Sequence, residues 1–216
     1  MSETDRTSGR EGWAASHAAS HAARDYLQRR EMTLEERLAE ERILFLWGEI
    51  SSSTAGGLIM RLLELQSKSP DREIHLYINS PGGDVDNTLA IYDTIQFLSC
   101  DVSTYCVGQA ASGAAIILAS GTKGKRYALP HSKIMIHQPW GGVTGQASDI
   151  KIQAEEILKS KKLLSELLAK HTNRTPKQIA EETERDRYMN PTEAKEYGIV
   201  DEIIENPPAS KKKTGK

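Results

Sequence analysis

The sequence predicts an α/β fold with a largely parallel core sheet. Short apolar runs of strand length alternate with longer segments of helical periodicity along most of the chain. Because a crossover helix returns the chain so that the next strand runs in the same direction, this alternation favours parallel pairing. The 216 residues suffice for one globular domain with a substantial core, which we expect at residues 33–205, with tails at both ends.

The first half of the chain shows this alternation clearly. Residues 1–32 form a polar leader or propeptide that we expect to be flexible or partly helical. Thr33 then caps a short charged helix, and Glu36 completes its capping box. The segments that follow are a buried strand at 43–48, a helix at 54–66, a strand at 73–79 and a helix at 85–98.

The second half continues the pattern and ends in a basic tail. Its segments are a strand at 102–107, an apolar helix at 112–119, strands at 125–129 and 134–137, a long helix from beyond Gly145 to about Lys170, and a strand at 199–204. The long helix exceeds what a domain of this size buries along one element. Its apolar stripe therefore fits either packing on another subunit or an ordinary amphipathic surface helix, and the pattern favours neither. Residues 206–216 are expected to be disordered.

Composition excludes several classes of protein. The formal net charge is −2, so nothing indicates a nucleic acid or an anionic membrane as partner. The two cysteines, Cys100 and Cys106, lack metal-ligand spacing and are interpreted as reduced, buried thiols of a cytoplasmic protein. No apolar run approaches the roughly 20 residues that span a bilayer. The polar N-terminus has no secretory apolar region, and its acidic residues argue against a transit peptide.

Ser112 is the strongest candidate nucleophile. It lies where a predicted strand gives way to the apolar helix, and the free N–H groups of a helix start would stabilise an oxyanion beside it. A structural role is the alternative, because serine is a preferred helix N-cap and the small residues at 108–115 also suit tight packing. The elbow motif of the α/β-hydrolases is missing, since Ala110 stands where that motif has glycine.

His137 is the best partner for this serine among the six histidines. It closes the apolar run at 134–136, and reactive groups collect at strand ends in α/β folds. A buried structural histidine is the alternative. The other five have ordinary interpretations: His17 and His21 lie in the leader, His75 on a strand face, His131 in a turn, and His171 at the end of the long helix, where a cation would complement the dipole.

Two glycine-rich segments accompany these residues. Gly82 and Gly83 join a strand to a helix, so their backbone N–H groups could face an anion, although a plain turn explains them equally well. The motif lacks the lysine of a P-loop, which argues against nucleotide binding. Residues 140–146 could form an exposed strand that captures an extended peptide, or only a mobile surface loop.

Six segments of the chain closely resemble the Clp protease proteolytic subunit (ClpP) family. They are YINSPGG at 77–83, GQAAS at 108–112, KGKR at 123–126, MIHQP at 135–139, GQASDI at 145–150 and ERDR at 184–187. The likeness runs from about residue 43 to 204. It implies a ClpP/crotonase-like spiral of ββα units, with the long helix and the 141–146 strand as a protruding handle.

The resemblance also implies a serine endopeptidase with a Ser-His-Asp triad at Ser112, His137 and Asp186. The pattern of residues alone left the acid open among Asp84, Asp86, Asp149 and Asp201, and favoured surface charge for Asp186. By resemblance, the backbone N–H groups of Gly83 and Gly113 form the oxyanion hole, and a strand at Gly141, Gly142 and Val143 binds substrate. Hydrolysis would pass through an acyl-enzyme and require no metal or organic cofactor.

The partners implied are those of the family. Subunits would assemble into two stacked seven-membered rings, with Glu184 and Arg185 at the ring–ring contact and a paralogous ClpP subunit as a further partner. An AAA+ unfoldase of the ClpX, ClpA or ClpC type would dock near Tyr77, Phe97 and Tyr105 and deliver unfolded polypeptides.

Three departures from the family pattern matter. Gly113-Ala114 replaces Met-Gly after the serine, which leaves room for a wider specificity pocket. His75 stands where an aromatic docking residue is common, and the apolar N-terminal segment of the family is not recognisable. Two alternatives stay open: a non-catalytic or weakly active ring subunit of a mixed complex, and a CoA-thioester enzyme of the crotonase superfamily.

Overall fold

A computed structural model describes residues 32–139, 142 and 144–205. The chain divides into two compact units, Met1–Glu41 and Arg42–Lys216. In the first unit, helix α1 (Leu34–Glu40) begins at Thr33 with the predicted capping box, in which Glu36 N–H donates to the Thr33 hydroxyl and the Glu36 carboxylate accepts from Thr33 N–H. Among the described residues, the second unit contains the sheet and six further helices.

In the part of the chain that the structure describes, the sheet of the second unit has seven strands. They are β1 (Ile43–Trp47), β2 (Ile74–Ser80), β3 (Val102–Ala111), β4 (Arg126–Ala128), β5 (Lys133–Ile136), β6 (Arg187–Met189) and β7 (Glu202–Ile203). The main order is β1-β2-β3-β4-β7, and every pair along it is parallel. The end of β3 also pairs with β5, and β5 pairs antiparallel with β6. The predicted α/β class with a largely parallel sheet is confirmed.

Helices cover this sheet. They are α2 (Ser52–Lys68), α3 (Val85–Phe97), α4 (Gly113–Ala119), α5 (Ala147–His171), α6 (Pro176–Glu182) and α7 (Pro191–Tyr197). Every residue of α4 is buried, which explains its uniformly apolar and small composition. The core includes the inward side chains of β2 and every residue of α4. None of the helices in the described ranges is long and apolar enough to cross a bilayer.

The strand β3 is longer than its sequence suggests. The pattern ends the strand at residue 107, but the structure continues it to Ala111. Gly108 adopts a φ of +83°, and a side chain there would press against Asn79, so the glycine permits a local irregularity without ending the strand. Beyond it, Ala110 and Ala111 pair with β5 and lead directly into Ser112.

Three elements were not predicted at all: α6, β6 and α7. Each is short, and β6 has only three residues, Arg187–Met189, with no alternation of burial to mark it. Both helices begin with proline directly after a residue that forms an N-terminal capping box, so their signals are local rather than periodic.

The apolar stripe of α5 is buried only in part. Residues 147–156 are all exposed, whereas Ser165 and Leu168 in the second half are buried. Several large apolar side chains of α5 are exposed: Ile150, Ile152, Leu158 and Leu163. A helix that keeps such side chains in solvent has a surface available for a further subunit.

The prediction that His171 is a cation is wrong. Its Nε2 lies 2.7 Å from the hydroxyl of Tyr92, and the ring is half-buried. Burial, with smaller effects from Lys170 and Arg126, lowers the pKa of His171 to about 4. The imidazole is therefore neutral at pH 7 and acts as a hydrogen-bond partner inside the fold.

A buried ion pair joins β4 to the segment before β7. The Arg126 guanidinium donates to both carboxylate oxygens of Asp201, at 2.8 and 2.6 Å, and also to the carbonyl of His171 at 2.7 Å. Burial raises the pKa of Asp201, but the hydrogen bonds and charge of Arg126 outweigh it and hold the pKa below its usual value. The carboxylate is thus ionised and fully engaged by the arginine.

Candidate active site

The ends of three paired strands bring the candidate catalytic side chains together. Ser112 follows β3 directly, and Ala111 pairs with Met135 in the parallel ladder of β3 and β5. His137 follows β5. Because β5 and β6 run antiparallel with Ile136 opposite Arg187, the residue after Ile136 lies across from the residue before Arg187, which is Asp186.

The three side chains form a hydrogen-bonded row. The Ser112 hydroxyl lies 2.9 Å from Nε2 of His137, and Nδ1 of His137 lies 3.1 Å from Oδ1 of Asp186. The imidazole is one-quarter exposed and the carboxylate about half exposed. Imidazole between a hydroxyl and a carboxylate is the arrangement in which a serine can be activated as a nucleophile.

The backbone of Ser112 is strained, which argues against a capping role. Its φ of +56° and ψ of −125° lie outside the regions that L-residues ordinarily occupy. Its side chain makes no capping hydrogen bond to α4. Instead Ser112 N–H donates to the carbonyl of Met135 at 2.8 Å, and the hydroxyl is turned to His137. Strain of this kind persists where surrounding contacts hold a functional side chain in place.

The turn at Gly82 and Gly83 packs directly against this serine. Gly82 has a φ of +90°, and a Cβ there would lie 2.7 Å from Cβ of Ser112 and 2.6 Å from the carbonyl oxygen of Ala111. Only glycine allows so close an approach. This geometry is compatible with a plain strand-to-helix turn and with a turn whose N–H groups face an anion. In either case the turn borders the candidate nucleophile, Ser112.

Ile50 fixes the other side of the same turn. Ile50 N–H donates to the carbonyl of Gly82 at 2.8 Å, and Asp84 N–H donates to the carbonyl of Ile50 at 3.0 Å. A Cβ on Gly83 would lie 2.2 Å from that Ile50 oxygen. Among the hydrogen bonds formed by the described residues, the N–H groups of Gly83 and Gly113 donate to no protein acceptor.

The segment that carries Asp186 is braced by Gln138. Gln138 N–H donates to the carbonyl of Thr183 at 2.9 Å, and its side-chain amide donates to the carbonyl of Glu184 at 3.2 Å. Lys161 of α5 pairs with the Glu184 carboxylate at 3.1 Å. These bonds connect α5 and the residue after His137 to the loop of the acid. Arg185 is exposed, as is Glu184.

A cavity of about 220 Å³ opens beside Ser112 and His137. Its walls are mainly apolar, and its lining includes Gly83, Gly113 and the side chains of Val85, Ile116 and Leu164. Pockets that hold a whole small-molecule ligand are larger, at roughly 300–1,000 Å³. The size and lining suit a single apolar side chain. A larger cavity of about 570 Å³ lies elsewhere, around Arg126 and His171.

The other candidate acids have separate roles. Asp84 caps α3 and accepts from Asn87 N–H at 2.8 Å, and Asp86 lies in the first turn of the same helix. Asp149 lies in the first turn of α5, and Asp201 is held by Arg126. Asp186 alone among these five candidates contacts His137.

The predicted substrate-binding strand is only partly covered by the structure. Gly141 and Val143 lie outside the described residues. Gly142 and Thr144 lie in no strand. The assignment of a strand to Gly141, Gly142 and Val143 stays a prediction.

Aromatic side chains form a row across four neighbouring strands. Phe45, Tyr77, Tyr105 and Tyr127 are successive register partners in β1 to β4. The rings of Tyr77 and Tyr105 stack with centroids 4.5 Å apart. His75 contacts the Tyr105 hydroxyl at 3.0 Å; burial lowers the pKa of His75 and raises the pKa of Tyr105 to about 12, so both are neutral. Phe97 lies at the exposed end of α3.

Sequence reasoning missed two residues of the site. Gln138 offered only its place beside His137 as a signal. Thr88 lies on α3, is 1% exposed, and lines the cavity at Ser112. A threonine within a helix pattern carries no mark of such a position, because only the packing of α3 on α4 creates it.

Comparison with known proteins finds a matching family model and many similar proteins. The family model described as Clp protease matches residues 27–207. The chain is also similar to the ATP-dependent Clp protease proteolytic subunit 1 of Rhodopirellula baltica, with 51% identity over 199 residues that cover 91% of this chain and 88% of that protein. The region matched by the family model contains every residue of the site described above.

Proposed function

Since this chain belongs to the Clp protease family, we propose that it cleaves peptide bonds with Ser112 as nucleophile, His137 as general base and Asp186 as the acid that orients the imidazole. One observation carries the assignment: the unbroken row of contacts at 2.9 and 3.1 Å from hydroxyl to imidazole to carboxylate. The chain is thus a serine-type peptidase, the proteolytic subunit of an ATP-dependent Clp protease.

The proposed first step forms an acyl-enzyme. As Ser112 Oγ attacks a peptide carbonyl carbon, Nε2 of His137 takes the hydroxyl proton, and the carboxylate of Asp186 stabilises the resulting imidazolium. The carbonyl oxygen becomes an oxyanion, for which the N–H groups of Gly83 and Gly113 are the proposed donors. Collapse of this intermediate breaks the C–N bond, and the imidazolium proton passes to the leaving amine.

The second step returns the enzyme to its starting state. Water gives a proton to His137 and its oxygen attacks the ester carbonyl, and the tetrahedral intermediate then expels Ser112 Oγ, which recovers the proton. Each donor in an oxyanion hole contributes about 10²–10³ in rate. The free state of both N–H groups within the described residues supports this role.

Active-site labelling tests the catalytic assignment. We expect a fluorophosphonate probe to label the purified protein and a fluorogenic peptide to be cleaved, and both signals to vanish in Ser112→Ala and His137→Ala. His131→Ala is the matched control, since His131 lies in an exposed turn. Equal labelling of wild type and Ser112→Ala would overturn the proposal and favour a non-catalytic ring subunit.

Assembly is the second part of the proposal. The subunits would form two stacked seven-membered rings, joined by the exposed apolar side chains of α5 and by Glu184 and Arg185. An AAA+ unfoldase of the ClpX, ClpA or ClpC type would dock at the aromatic row and deliver unfolded polypeptides, and a paralogous ClpP subunit could share the rings. The exposed Ile152 and Leu158 and the stacked tyrosines support these contacts.

Native mass spectrometry tests the assembly. We expect a fourteen-subunit mass, from this chain alone or with a paralogue, and its loss in Ile152→Glu and Leu158→Glu. A monomer under every pairing would contradict the proposed assembly.

A cytoplasmic location belongs to the same proposal, supported by the two free, buried thiols.

A further inference from the structure

Thr88 occupies the space that a side chain on residue 113 would need. A Cβ built on Gly113 would lie 2.3 Å from the hydroxyl oxygen of Thr88 and 3.0 Å from its methyl carbon. Such distances are far below ordinary contact, so the threonine already fills this volume. The φ of Gly113 is not in the positive region, so the backbone conformation does not require glycine. Glycine is required here because there is no space for a side chain.

Thr88 is also fixed in this position. Its hydroxyl donates to the carbonyl of Asp84, one helical turn earlier, at 2.8 Å, and the side chain is 1% exposed. Asp84 caps α3 directly after Gly83. The threonine is therefore anchored to the same helix start that carries a proposed oxyanion donor.

The pair forms one wall of the cavity beside the nucleophile. Both Thr88 and Gly113 line the 220 Å³ space, together with the apolar side chains of Val85, Ile116 and Leu164. A substrate whose carbonyl is attacked by Ser112 must place its adjoining side chain near the serine. The cavity borders that position, and its volume depends on the size of the side chain at residue 88.

We propose that Thr88 is a specificity-determining residue, which sets the size of the substrate side chain accepted beside the scissile carbonyl by filling the volume left by Gly113. The inference rests on the proposed peptidase function. In this chain the side chain next to the nucleophile comes from Thr88 on α3, because the residue after the serine, Gly113, has no side chain. Removing atoms from residue 88 should enlarge the pocket where a bulky side chain enters.

A series of peptide substrates tests this assignment. The substrates differ only in the residue before the cleaved bond, from alanine through valine and leucine to phenylalanine. For Thr88→Ala we expect the ratio of kcat/KM for phenylalanine to that for alanine to rise at least about tenfold, the scale on which a methylene matters in an apolar pocket. Thr88→Val keeps the shape and should keep the ratio within about threefold.

Thr94→Ala is the matched control. Thr94 lies on the same helix and donates to the carbonyl of Ala90 at 2.7 Å, the same bond to the fourth preceding residue, but it is only partly buried and is not among the residues that line the cavity beside Ser112. Its removal should leave the substrate ratio unchanged. An unchanged ratio in Thr88→Ala, or an equal change in Thr94→Ala, would overturn the assignment of Thr88.

A double variant gives an independent readout. Gly113→Ala collides with Thr88 and should lose most activity, whereas the same change in a Thr88→Ala background should lose at least about tenfold less. Equal losses in the two backgrounds would contradict the proposal that Thr88 and residue 113 share one volume.

Fluorophosphonate labelling separates the two hypotheses. Absence of labelling in wild type refutes the peptidase function, while intact labelling with unaltered ratios of kcat/KM refutes only the role of Thr88.

Discussion

Asp186 lies across from His137 because Ile136 and Arg187 are partners in the antiparallel ladder of β5 and β6. The imidazole and the carboxylate are thus placed by main-chain pairing, one residue beyond the last register pair. A ladder fixes the spacing of the residues that flank it more firmly than a free loop does.

Asp186→Asn should abolish most activity without unfolding the protein. The amide keeps the shape but cannot hold the reactive tautomer of His137, and in a well-studied Ser-His-Asp enzyme this change lowers kcat about 10⁴-fold. Because the side chain is about half exposed, the free energy of unfolding should change by less than about 0.5 kcal/mol. Steady-state peptide hydrolysis and urea unfolding measure both quantities, with exposed Asp71→Asn as control.

Gly82→Ala should impair catalysis through the turn that borders Ser112. The new methyl would meet Ser112 Cβ at 2.7 Å and force the turn away from the serine. A shift of about 1 Å lowers rates about 10²-fold, so kcat/KM should fall by at least that factor. Gly57→Ala is the control: nothing lies within 4 Å of its Cβ, and the change in mid-helix should stabilise the protein by about 0.5–1 kcal/mol. Full activity in Gly82→Ala would contradict this account of the turn.

Asp201→Asn should destabilise the fold strongly. It leaves the Arg126 guanidinium, whose side chain is 4% exposed, without its counter-charge. Removal of one partner from a buried ion pair lowers the free energy of unfolding by about 3–5 kcal/mol. Glu64→Gln removes a partner from exposed pairs with Arg61 and Lys68 and should change it by less than about 1 kcal/mol. Similar urea midpoints for the two variants would show that Asp201 is not the stabilising group.

Mild acid should destabilise the protein through His171. Its pKa is about 4 in the fold, beside Tyr92, Lys170 and Arg126, against an ordinary value of 6.5, so below pH 6.5 the unfolded chain binds a proton that the folded chain does not. Stability is full above pH 6.5 and is lost as the pH falls toward 4. Between pH 6.5 and 5 we expect a loss of about 1 kcal/mol, allowing for solvent screening at the half-exposed ring.

Urea unfolding at fixed protein concentration measures this effect. His171→Gln should show a smaller loss between pH 6.5 and 5, because only the contribution of His75 remains, whereas His131→Ala, in an exposed turn, should retain the full loss. A wild-type curve that stays flat across this interval would refute the neutral, buried imidazole.

The sequence predicted the long elements well and the short ones poorly. Helices α2, α3 and α5 and strands β1 and β2 follow from apolar periodicity, and their ends agree within about two residues. Strand β6 could not be predicted in this way, since three residues contain no period. The choice of Asp186 depends on that strand, so the residues alone left four other aspartates open and favoured surface charge for Asp186.

Other features of the site depend on packing between distant elements. The positive φ of Ser112 is set by its bond to Met135 and by the close turn at Gly82, neither of which a local pattern encodes. The neutral state of His171 depends on its burial in the fold, and its hydrogen-bond partner Tyr92 lies 79 residues away in the chain. The family resemblance supplied the roles that the local pattern could not.

The turn at Gly82 and Gly83 is clamped between Ile50 on one side and Ser112 on the other. Under the proposed mechanism, an arriving peptide carbonyl therefore meets dipoles whose direction is set before it binds. The turn at Gly82 and Gly83 therefore loses little conformational entropy when the substrate binds. The binding energy of the rest of the polypeptide can then serve to align the substrate in the site.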